Sequence, residues 1–365
     1  MRFVFTSYSS APEFDDPAKW LRRINGYTGI LEALGRRHSV TGIERINYEG
    51  EFSQEGVHYN FIRLRKKVTR FPQRMHRMIK NMDPDVVVVN GIIFPLQVIQ
   101  LRRELGKKVK IILLHRSEIP GIRLRKFLQK WADRSVDAYV FSSDEFGDQW
   151  MKSGIIKDAG KVHEAIPVSS SFHSFDKLMA RAGLKVDGSP VFLWVGRLNA
   201  NKDPLTVVKG FLEYLTYQPS AKLYMIYQAG DLADSLRDMV KAQPNIKLVG
   251  AIRHEELPAW YSAADFFISG SHYEGGGTAA SEAMSCGCIP ILTNIISFRR
   301  MTGPGQCGLL YEPGNEKALL AALLKTKEMD REKESLLAKQ QFRKELSFDA
   351  IAGKIEKVVA MLDKK

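Results

Sequence analysis

The run VVVV at residues 86–89 restricts the fold more than any other stretch. Each β-branched residue loses side-chain freedom against the preceding turn of a helix, and an unbroken apolar run suits a strand covered on both faces. Such strands belong to parallel sheets, where neighbours need a crossover connection, usually a helix. The chain supplies both in alternation. Further strand patterns occur at 2–6, 39–44, 57–64, 109–115, 138–142 and 162–166, with helical patterns between most of them, for example at 95–105 and 122–132. A polar piece follows, with SSS at 169–171 and DGSP at 187–190, and reads as a hinge. The alternation then restarts, with strands at 191–195, 222–227, 246–249, 265–269, 289–293 and near 309, and helices at 204–215, 232–242, 256–262 and from 316 onward. Two successive arrays predict an α/β chain of two doubly wound, Rossmann-like domains facing each other across a cleft. The boundaries read as 1–168, a hinge over 169–189, and 190–347.

A length of 365 residues accommodates two cores. No stretch approaches the roughly 18 apolar residues of a membrane-spanning helix. The opening MRFVFTSYSS has too short an apolar run for a secretory signal and reads as the first strand. Three cysteines, Cys286, Cys288 and Cys307, are too few and too odd for a disulfide framework and fit a reducing, cytoplasmic setting. Cys286-x-Cys288 stands without a second cluster, so no metal site is expected.

The charge is uneven. Residues 1–187 hold 32 Lys/Arg against 21 Asp/Glu, a net +11, whereas residues 188–365 hold 22 against 20, a net +2. The basic half implies an anionic partner: a phospholipid surface, a phosphorylated acceptor or nucleic acid. Its strongest amphipathic element is FPQRMHRMIKNM at 71–82. Phe71, Met75, Met78, Ile79 and Met82 share one helical face, Arg70, Arg74, Arg77 and Lys80 populate the rest, and Arg63, Arg65, Lys66 and Lys67 lie just upstream. That face either packs on the core beneath solvated cations or docks on an anionic membrane surface. The chain carries no nucleic-acid-binding signature, so nucleic acid is not expected as a partner.

In doubly wound sheets ligands collect at the carboxyl ends of the strands. The strand at 191–195 runs into Gly196-Arg197-Leu198-Asn199-Ala200-Asn201-Lys202. Gly196 permits a tight turn, and Arg197 and Lys202 then precede a helix, an arrangement suited to a diphosphate. The strand at 265–269 runs into YEGGGTAASEAMSCG at 273–287. Gly275, Gly276 and Gly277 can expose backbone N–H groups to a ligand. A helix begins near Thr278, Ala279, Ala280 and Ala283 let it lie close to the sheet, and Gly287 closes it. Glu282 lies one turn into that helix on the side of Thr278, where a carboxylate can accept both hydroxyls of a ribose, and Glu274 can meet a second hydroxylated group. The layout suits a nucleotide diphosphate carrying a sugar. The alternative is a tight strand–turn–helix corner whose glutamates face water.

Glu274-x7-Glu282, together with Gly196-Arg197, Lys202 and the hinge, resembles the retaining, nucleotide-sugar-dependent glycosyltransferases of family 4, which have the GT-B fold. Their signature E-G-F-G-x4-E-A-M-A-x-G-x-P-V appears as Glu274-Gly-Gly-Gly-x4-Glu282-Ala-Met-Ser-x-Gly287-x2-Pro290-Ile291, with Gly276 in place of the usual phenylalanine, Ser285 in place of alanine and one more residue before the proline. The preceding LPAWYSAADFFISGS is similar to the family's lead-in. The resemblance is close over 190–315 and looser before it. It implies phosphate roles for Arg197 and Lys202, a transferred-sugar role for Glu274 and a ribose role for Glu282. It also implies a place near the donor sugar for His115, and a glycine-rich first loop at the donor phosphate for Gly26 in NGYTG. By the same resemblance the last helix, about 348–365, crosses back to an acceptor-binding first domain, and 190–347 binds the donor. Two segments depart from the pattern. I-P-N-G-V-D appears as Ile166-Pro167-Val168-Ser169-Ser170-Ser171, and a G-x-G-P turn is replaced by Gln228-Ala229-Gly230-Asp231, which leaves the nucleobase open.

The function implied is retaining transfer of a sugar from a nucleotide diphosphate sugar to a saccharide or lipid-linked acceptor in envelope polysaccharide or glycolipid synthesis. The setting implied is cytoplasmic, at the inner face of the membrane. No cofactor is expected beyond the donor, which is a substrate. No metal is required where Arg197, Lys202 and backbone N–H groups stabilise the leaving diphosphate, and no D-x-D motif is present. Two other readings stand beside this one: a GT-B-like nucleotide-sugar epimerase, and a basic membrane or nucleic-acid binding module without catalysis.

Overall fold

The computed structural model describes residues 1–63, 70–228 and 230–364. The chain divides into two compact units, Met1–Ser169 with Phe348–Lys365, and Ser170–Ser347. In chain order the first unit contains β1 (Arg2–Thr6), α1 (Pro17–Arg23), α2 (Asn25–Gly35), β2 (Ser39–Glu44), β3 (Gly50–Gln54), β4 (Val57–Phe61), α3 (Gln73–Asn81), β5 (Val86–Asn90), α4 (Pro95–Leu105), β6 (Lys110–Leu114), α5 (Arg123–Ala132), β7 (Ala138–Phe141), α6 (Asp144–Lys152) and β8 (Val162–Glu164). Its sheet runs β3-β4-β2-β1-β5-β6-β7-β8. The valines of β5 are fully buried and pair in parallel with β1 and β6, Val4 opposite Val87 and Val88 opposite Ile112. The four-valine run thus sits at the centre of the sheet, as its composition requires.

The second unit contains α7 (Lys177–Leu184), β9 (Val191–Arg197), α8 (Pro204–Tyr217), β10 (Lys222–Gln228), α9 (Ala233–Val240), β11 (Ile246–Gly250), α10 (Leu257–Ala263), β12 (Phe266–Ser269), α11 (Thr278–Ser285), β13 (Ile289–Thr293), α12 (Ile296–Thr302), β14 (Leu309–Tyr311), α13 (Glu316–Lys325) and α14 (Arg331–Gln341). Its six strands are all parallel, in the order β11-β10-β9-β12-β13-β14. The chain starts at β9, builds outward to β11, then returns to the other side of β9 with β12. The order therefore reverses between β9 and β12. In doubly wound sheets ligand sites lie at such a reversal, at the carboxyl ends of the two strands.

The last helix, α15 (Phe348–Leu362), belongs to the first unit. Ile351, Ala352, Ile355, Val358 and Val359 are buried in the same core as Ile30, Leu31 and Leu34 of α2. Glu356 fastens it at the surface, accepting from Arg37 through Nε at 2.9 Å and Nη2 at 3.1 Å and contacting His38 Nε2 at 2.8 Å.

Several elements differ from the sequence reading. The stretch 169–189, expected as an irregular hinge, contains α7 and lies in the second unit from Ser170 onward. Asp176 caps α7 by accepting from the Met179 N–H at 2.9 Å, and the polar flanks on either side masked this short helix in the sequence. Strand β3 was not expected. It alternates half-buried and exposed positions at the sheet edge and pairs antiparallel with β4 through the turn at Glu55-Gly56. Gly26, expected in a loop, lies in the first turn of α2. Its hydrogen faces the chain itself: a Cβ there would sit 2.9 Å from the Ser169 carbonyl oxygen, and Gly26 O accepts from the Ser169 N–H at 2.8 Å. Gly196, expected just past the strand, lies within β9 and pairs with Tyr227. In α3, Met75 and Ile79 are buried, while Phe71 is exposed, so the apolar stripe at 71–82 faces the core. Arg74 pairs with Glu49 and Lys80 with Glu104. Residue 64 of the expected strand 57–64, the basic residues Arg65, Lys66 and Lys67, and Ala229 lie outside the described residues.

Buried Glu44 at the end of β2 accepts a hydrogen bond from Trp20 Nε1 at 2.9 Å. Burial pushes its carboxyl up to about 7, against the opposing influence of that hydrogen bond and of Arg116. In an unfolded chain it titrates near 4.3. Below that value both states hold the proton. Between there and about 7 only the unfolded chain releases it, so this stability contribution is lost as pH rises, by roughly 4 kcal/mol at most. Replacing Glu44 with Gln removes the titration. Calorimetric melting from about pH 5 to about pH 8 should show wild type losing ground steadily against E44Q, and parallel curves would refute the assignment.

Candidate active site

The crevice between β9 and β12 gathers most of the residues singled out in the sequence. Two loops build it, 198–203 after β9 and 270–277 after β12, and they are stitched together along their length. The His272 N–H donates to Asn201 O at 2.8 Å, Asn201 Nδ2 donates to Tyr273 O at 3.1 Å, and His272 Nε2 lies 3.0 Å from Asp203 Oδ2. Gly270 makes the approach possible, since a Cβ there would lie 2.7 Å from Asp203 O. Asp203 takes a left-handed conformation, φ 41°, which turns the chain into α8, and it caps that helix by accepting from the Thr206 N–H at 3.2 Å. Asn199 Oδ1 accepts from the Lys202 N–H at 3.0 Å and fixes the base of the Lys202 side chain.

Lys202 and Glu274 then meet in a salt bridge through Lys202 Nζ and Glu274 Oε1. The same oxygen accepts from Ser271 Oγ at 2.8 Å. Ser271 is fully buried, its carbonyl accepting from Thr293 Oγ1 at 2.5 Å and its hydroxyl contacting Ser269 Oγ at 3.1 Å. The backbone carbonyl of Glu274 accepts from Ser297 Oγ at the start of α12. Three adjacent strand ends, β9, β12 and β13, therefore hold one carboxylate and one ammonium. An ammonium has three donors and a carboxylate about four acceptor positions, so the pair retains capacity for a ligand.

Past Glu274 the chain crosses Gly275, Gly276 and Gly277 and enters α11 at Thr278. Gly277 is the N-cap residue with φ 58° and is packed so closely on α12 that a Cβ would lie 2.7 Å from Met301 Sδ. A glycine N-cap offers no side chain to accept from the first turn, so α11 has no side-chain cap from its N-cap residue. Thr278 is exposed there. Arg197 is also exposed, and among the described residues it makes no salt bridge.

Glu282 is buried one turn along α11. Its Oε2 accepts from the buried Tyr261 hydroxyl at 3.0 Å and its Oε1 lies 2.8 Å from His254 Nε2. The sequence reading identified the carboxylate but missed both partners. The signal for Tyr261 was its place in LPAWYSA, where a tyrosine faces the sheet; a lone histidine in a polar loop gave none. The helix ends with the Gly287 N–H donating to Met284 O at 3.0 Å and the Cys288 N–H to Ala283 O at 2.9 Å, with Gly287 left-handed, which fixes its length at two turns. All three cysteines are buried free thiols, and burial pushes Cys286 up to about 11. Among the described residues no group of three or more His, Cys, Asp or Glu side chains is placed to hold a metal ion.

His115 and Gly26 lie in the first unit. His115 follows β6 directly and is buried between Phe141 and Phe146, with ring centroids at 5.0 and 5.2 Å. Its Nε2 donates to Glu118 O at 2.8 Å, while buried Nδ1 has no partner. Burial holds the ring below its ordinary titration range, against the contrary pull of Glu118. A neutral imidazole with its proton on Nε2 presents an unclaimed acceptor at Nδ1.

Two doubly wound α/β units in one chain, the second carrying its polar cluster at the switch point, match solved structures over the full length. Sucrose-phosphate synthase from Thermosynechococcus elongatus superposes with a TM-score of 0.73 at 18% identity, covering 100% of this chain and 99% of that one. The fold is that of the GT-B glycosyltransferases. Residues 176–343 match the family model for glycosyl transferases group 1. A GDP-mannose:cellobiosyl-diphosphopolyprenol alpha-mannosyltransferase of Xanthomonas oryzae pv. oryzae is 33% identical over 313 residues, covering 79% of this chain and 80% of that enzyme. The protein of the same description from Xanthomonas campestris is 28% identical over 236 residues, and that match spans 61% of this chain and only 59% of the relative. The chain belongs to the group 1 glycosyltransferases. Nothing among these relatives supports the epimerase reading or the non-catalytic one.

The buried Glu282–Tyr261 contact has a measurable consequence. Glu282→Ala leaves a buried hydroxyl without its acceptor, so urea unfolding should show a loss of about 1–3 kcal/mol, whereas Glu282→Gln keeps an acceptor oxygen and should lose less. Equal stability of wild type and E282A would show that Tyr261 finds another partner.

Proposed function

We propose that this enzyme transfers a sugar, with retention of configuration, from a nucleotide diphosphate sugar to a saccharide or lipid-linked acceptor, without a metal ion. The observation that carries the reading is the Lys202–Glu274 pair, held at the switch point by three strand ends beside the uncapped α11. In this reading the donor diphosphate lies against Lys202, Arg197 and the N–H groups of Gly275, Gly276, Gly277 and Thr278. Gly196 leaves room at the end of β9. Glu282 accepts the ribose hydroxyls with the lone pairs not used by Tyr261 and His254. Glu274 accepts from hydroxyls of the transferred sugar, and His115, through Nδ1, and Gly26 are assigned as further contacts to the donor sugar and its phosphate. The first unit binds the acceptor, and its basic surface places the enzyme on the cytoplasmic face of an anionic membrane.

As the sugar–phosphate bond breaks, negative charge grows on the diphosphate and positive charge on the sugar. Lys202 and Arg197 stabilise the first. Glu274 lies beside the second, while the leaving phosphate takes the proton of the attacking acceptor hydroxyl. The relatives named for GDP-mannose make it the first donor to test. Their acceptor, a saccharide on a diphosphopolyprenol, is the first acceptor to test.

Thermal shifts with GDP-mannose, UDP-glucose and ADP-glucose identify the donor; one at about 100 times its dissociation constant stabilises by roughly 2.7 kcal/mol. With that donor, Glu282→Gln should mainly raise the donor KM, because the ribose is unchanged during reaction. Glu274→Ala and Arg197→Ala should lower kcat more than they raise KM, because their partners change charge. The opposite pattern would reverse the two carboxylate assignments, and full transfer activity in all three variants would end the proposal.

A further inference from the structure

Helix α5 is turned the wrong way for a surface helix. An amphipathic helix ordinarily puts its apolar stripe against the core and its charges in water. Here the residues that face the core are Gln129 and Ala132. Leu124, Phe127 and Trp131, spaced to fall on one face, are 71%, 65% and 42% exposed. The loop before the helix extends the same surface, with Ile119 at 71% and Ile122 at 77% exposure. That loop is held to the helix because the Gly121 N–H donates to the buried Gln129 Oε1 at 2.9 Å. Five large apolar side chains therefore stand in water on a fixed element.

The charges beside them are of one sign. Residues 117–131 contain Arg123, Arg125, Lys126 and Lys130 against the single acid Glu118, while Arg116 before them is turned inward, its Nη1 donating to Pro167 O at 2.8 Å. Glu118 is committed inward, accepting from the Ile92 N–H at 3.1 Å. On the helix Arg123, Lys126 and Lys130 flank the apolar stripe, and the Arg103 guanidinium stands over the Trp131 ring at 6.0 Å from its centroid. An apolar stripe carrying tryptophan and phenylalanine, bordered by cations, matches the boundary between acyl chains and anionic headgroups. A protein partner would need a complementary apolar and acidic surface; a second copy of this basic helix would set cations against cations.

We propose that α5 and the loop at 119–122 form a membrane-docking surface. Leu124, Phe127, Trp131, Ile119 and Ile122 insert among the acyl chains, and Arg123, Lys126 and Lys130 contact anionic lipid headgroups. The proposal rests on the reading of a lipid-linked acceptor, since docking brings the enzyme to a substrate confined to the bilayer. It assigns the membrane contact to α5 and not to the basic helix α3, whose Met75 and Ile79 are buried in the core.

Co-sedimentation with vesicles of phosphatidylcholine containing about 30% phosphatidylglycerol, without any sugar nucleotide, tests it. Wild type should bind, and binding should weaken as salt is raised. L124S/F127S should lose at least about tenfold in partitioning. R123Q/K126Q/K130Q should lose binding to the anionic vesicles, while R74Q/R77Q/K80Q on α3 should bind like wild type. The Trp131 emission should shift to shorter wavelength with vesicles, and W131F should abolish that shift. Equal binding by L124S/F127S and wild type overturns the proposal. So does loss of binding in the α3 variant alone, or a dimer that dissociates in L124S/F127S without any vesicle binding. Thermal shifts with GDP-mannose on the same samples read the donor proposal separately, since neither set of substitutions touches the crevice.

Discussion

The second unit is organised around one buried carboxylate, Asp265, at the amino end of β12. Its Oδ2 accepts from the Val191 N–H at 2.8 Å and from Arg181 at 2.8 Å, and its Oδ1 accepts from Lys177 at 2.9 Å. Its own N–H donates to Val191 O at 2.8 Å, and its carbonyl accepts from the Ile289 N–H at 3.0 Å. Burial alone raises such a carboxyl, but Lys177, the Val191 N–H and Arg181 outweigh it and hold the group below its ordinary range. Removing one partner from a buried pair of this kind typically costs about 3–5 kcal/mol. One residue thereby sets where β9, β12 and β13 begin. The loops carrying Lys202 and Glu274 leave the far ends of two of these adjacent strands, β9 and β12.

The same geometry explains why glycines and small polar residues crowd the crevice. Two loops leaving adjacent strands must pass within backbone contact of each other, and Gly270 and Gly277 stand where a Cβ would collide. Ser269, Ser271, Thr293 and Ser297 satisfy the carbonyls and the carboxylate left over by that crossing. The result is a rigid frame around two opposite charges. A carboxylate and an ammonium that neutralise each other leave no uncompensated charge inside that frame.

Much of this was legible in the sequence, and the failures have physical causes. The strands VVVV and IPILT are buried on both faces, and their unbroken apolar runs have no other explanation. The helix α4 begins at a proline and ends at a glycine, and its limits follow from that punctuation. The placement of Lys202, Glu274 and Glu282 follows from their order after strands. What the sequence does not carry is long-range pairing. Tyr261 and His254 reach Glu282 from 21 and 28 residues away, and Lys177 and Arg181 reach Asp265 from 88 and 84. Short elements fail for a related reason. In α7 eight residues and one cap are too little local signal to outweigh serine-rich flanks, and β3 is held by its partner strand rather than by its own alternation.

Amphipathic patterning shows the limit most clearly. Both 71–82 and 123–132 place apolar residues on one helical face among cations, and periodicity states only that a stripe exists, not what covers it. In α3 the covering is the sheet: Met75 and Ile79 reach the interior, and Thr6 on β1 lies against the Met75 sulfur at 3.8 Å. In α5 the roles are reversed, because the side that must face the protein holds Gln129, whose amide oxygen is already committed to Gly121, and Ala132, which is small enough to let the helix lie flat. A helix anchored by its polar side leaves its apolar side as surplus. Leu124, Phe127 and Trp131 therefore stay outward on the helix that also carries Arg123, Lys126 and Lys130. Contiguous exposed apolar area rimmed by polar residues marks a surface that meets a partner or a membrane.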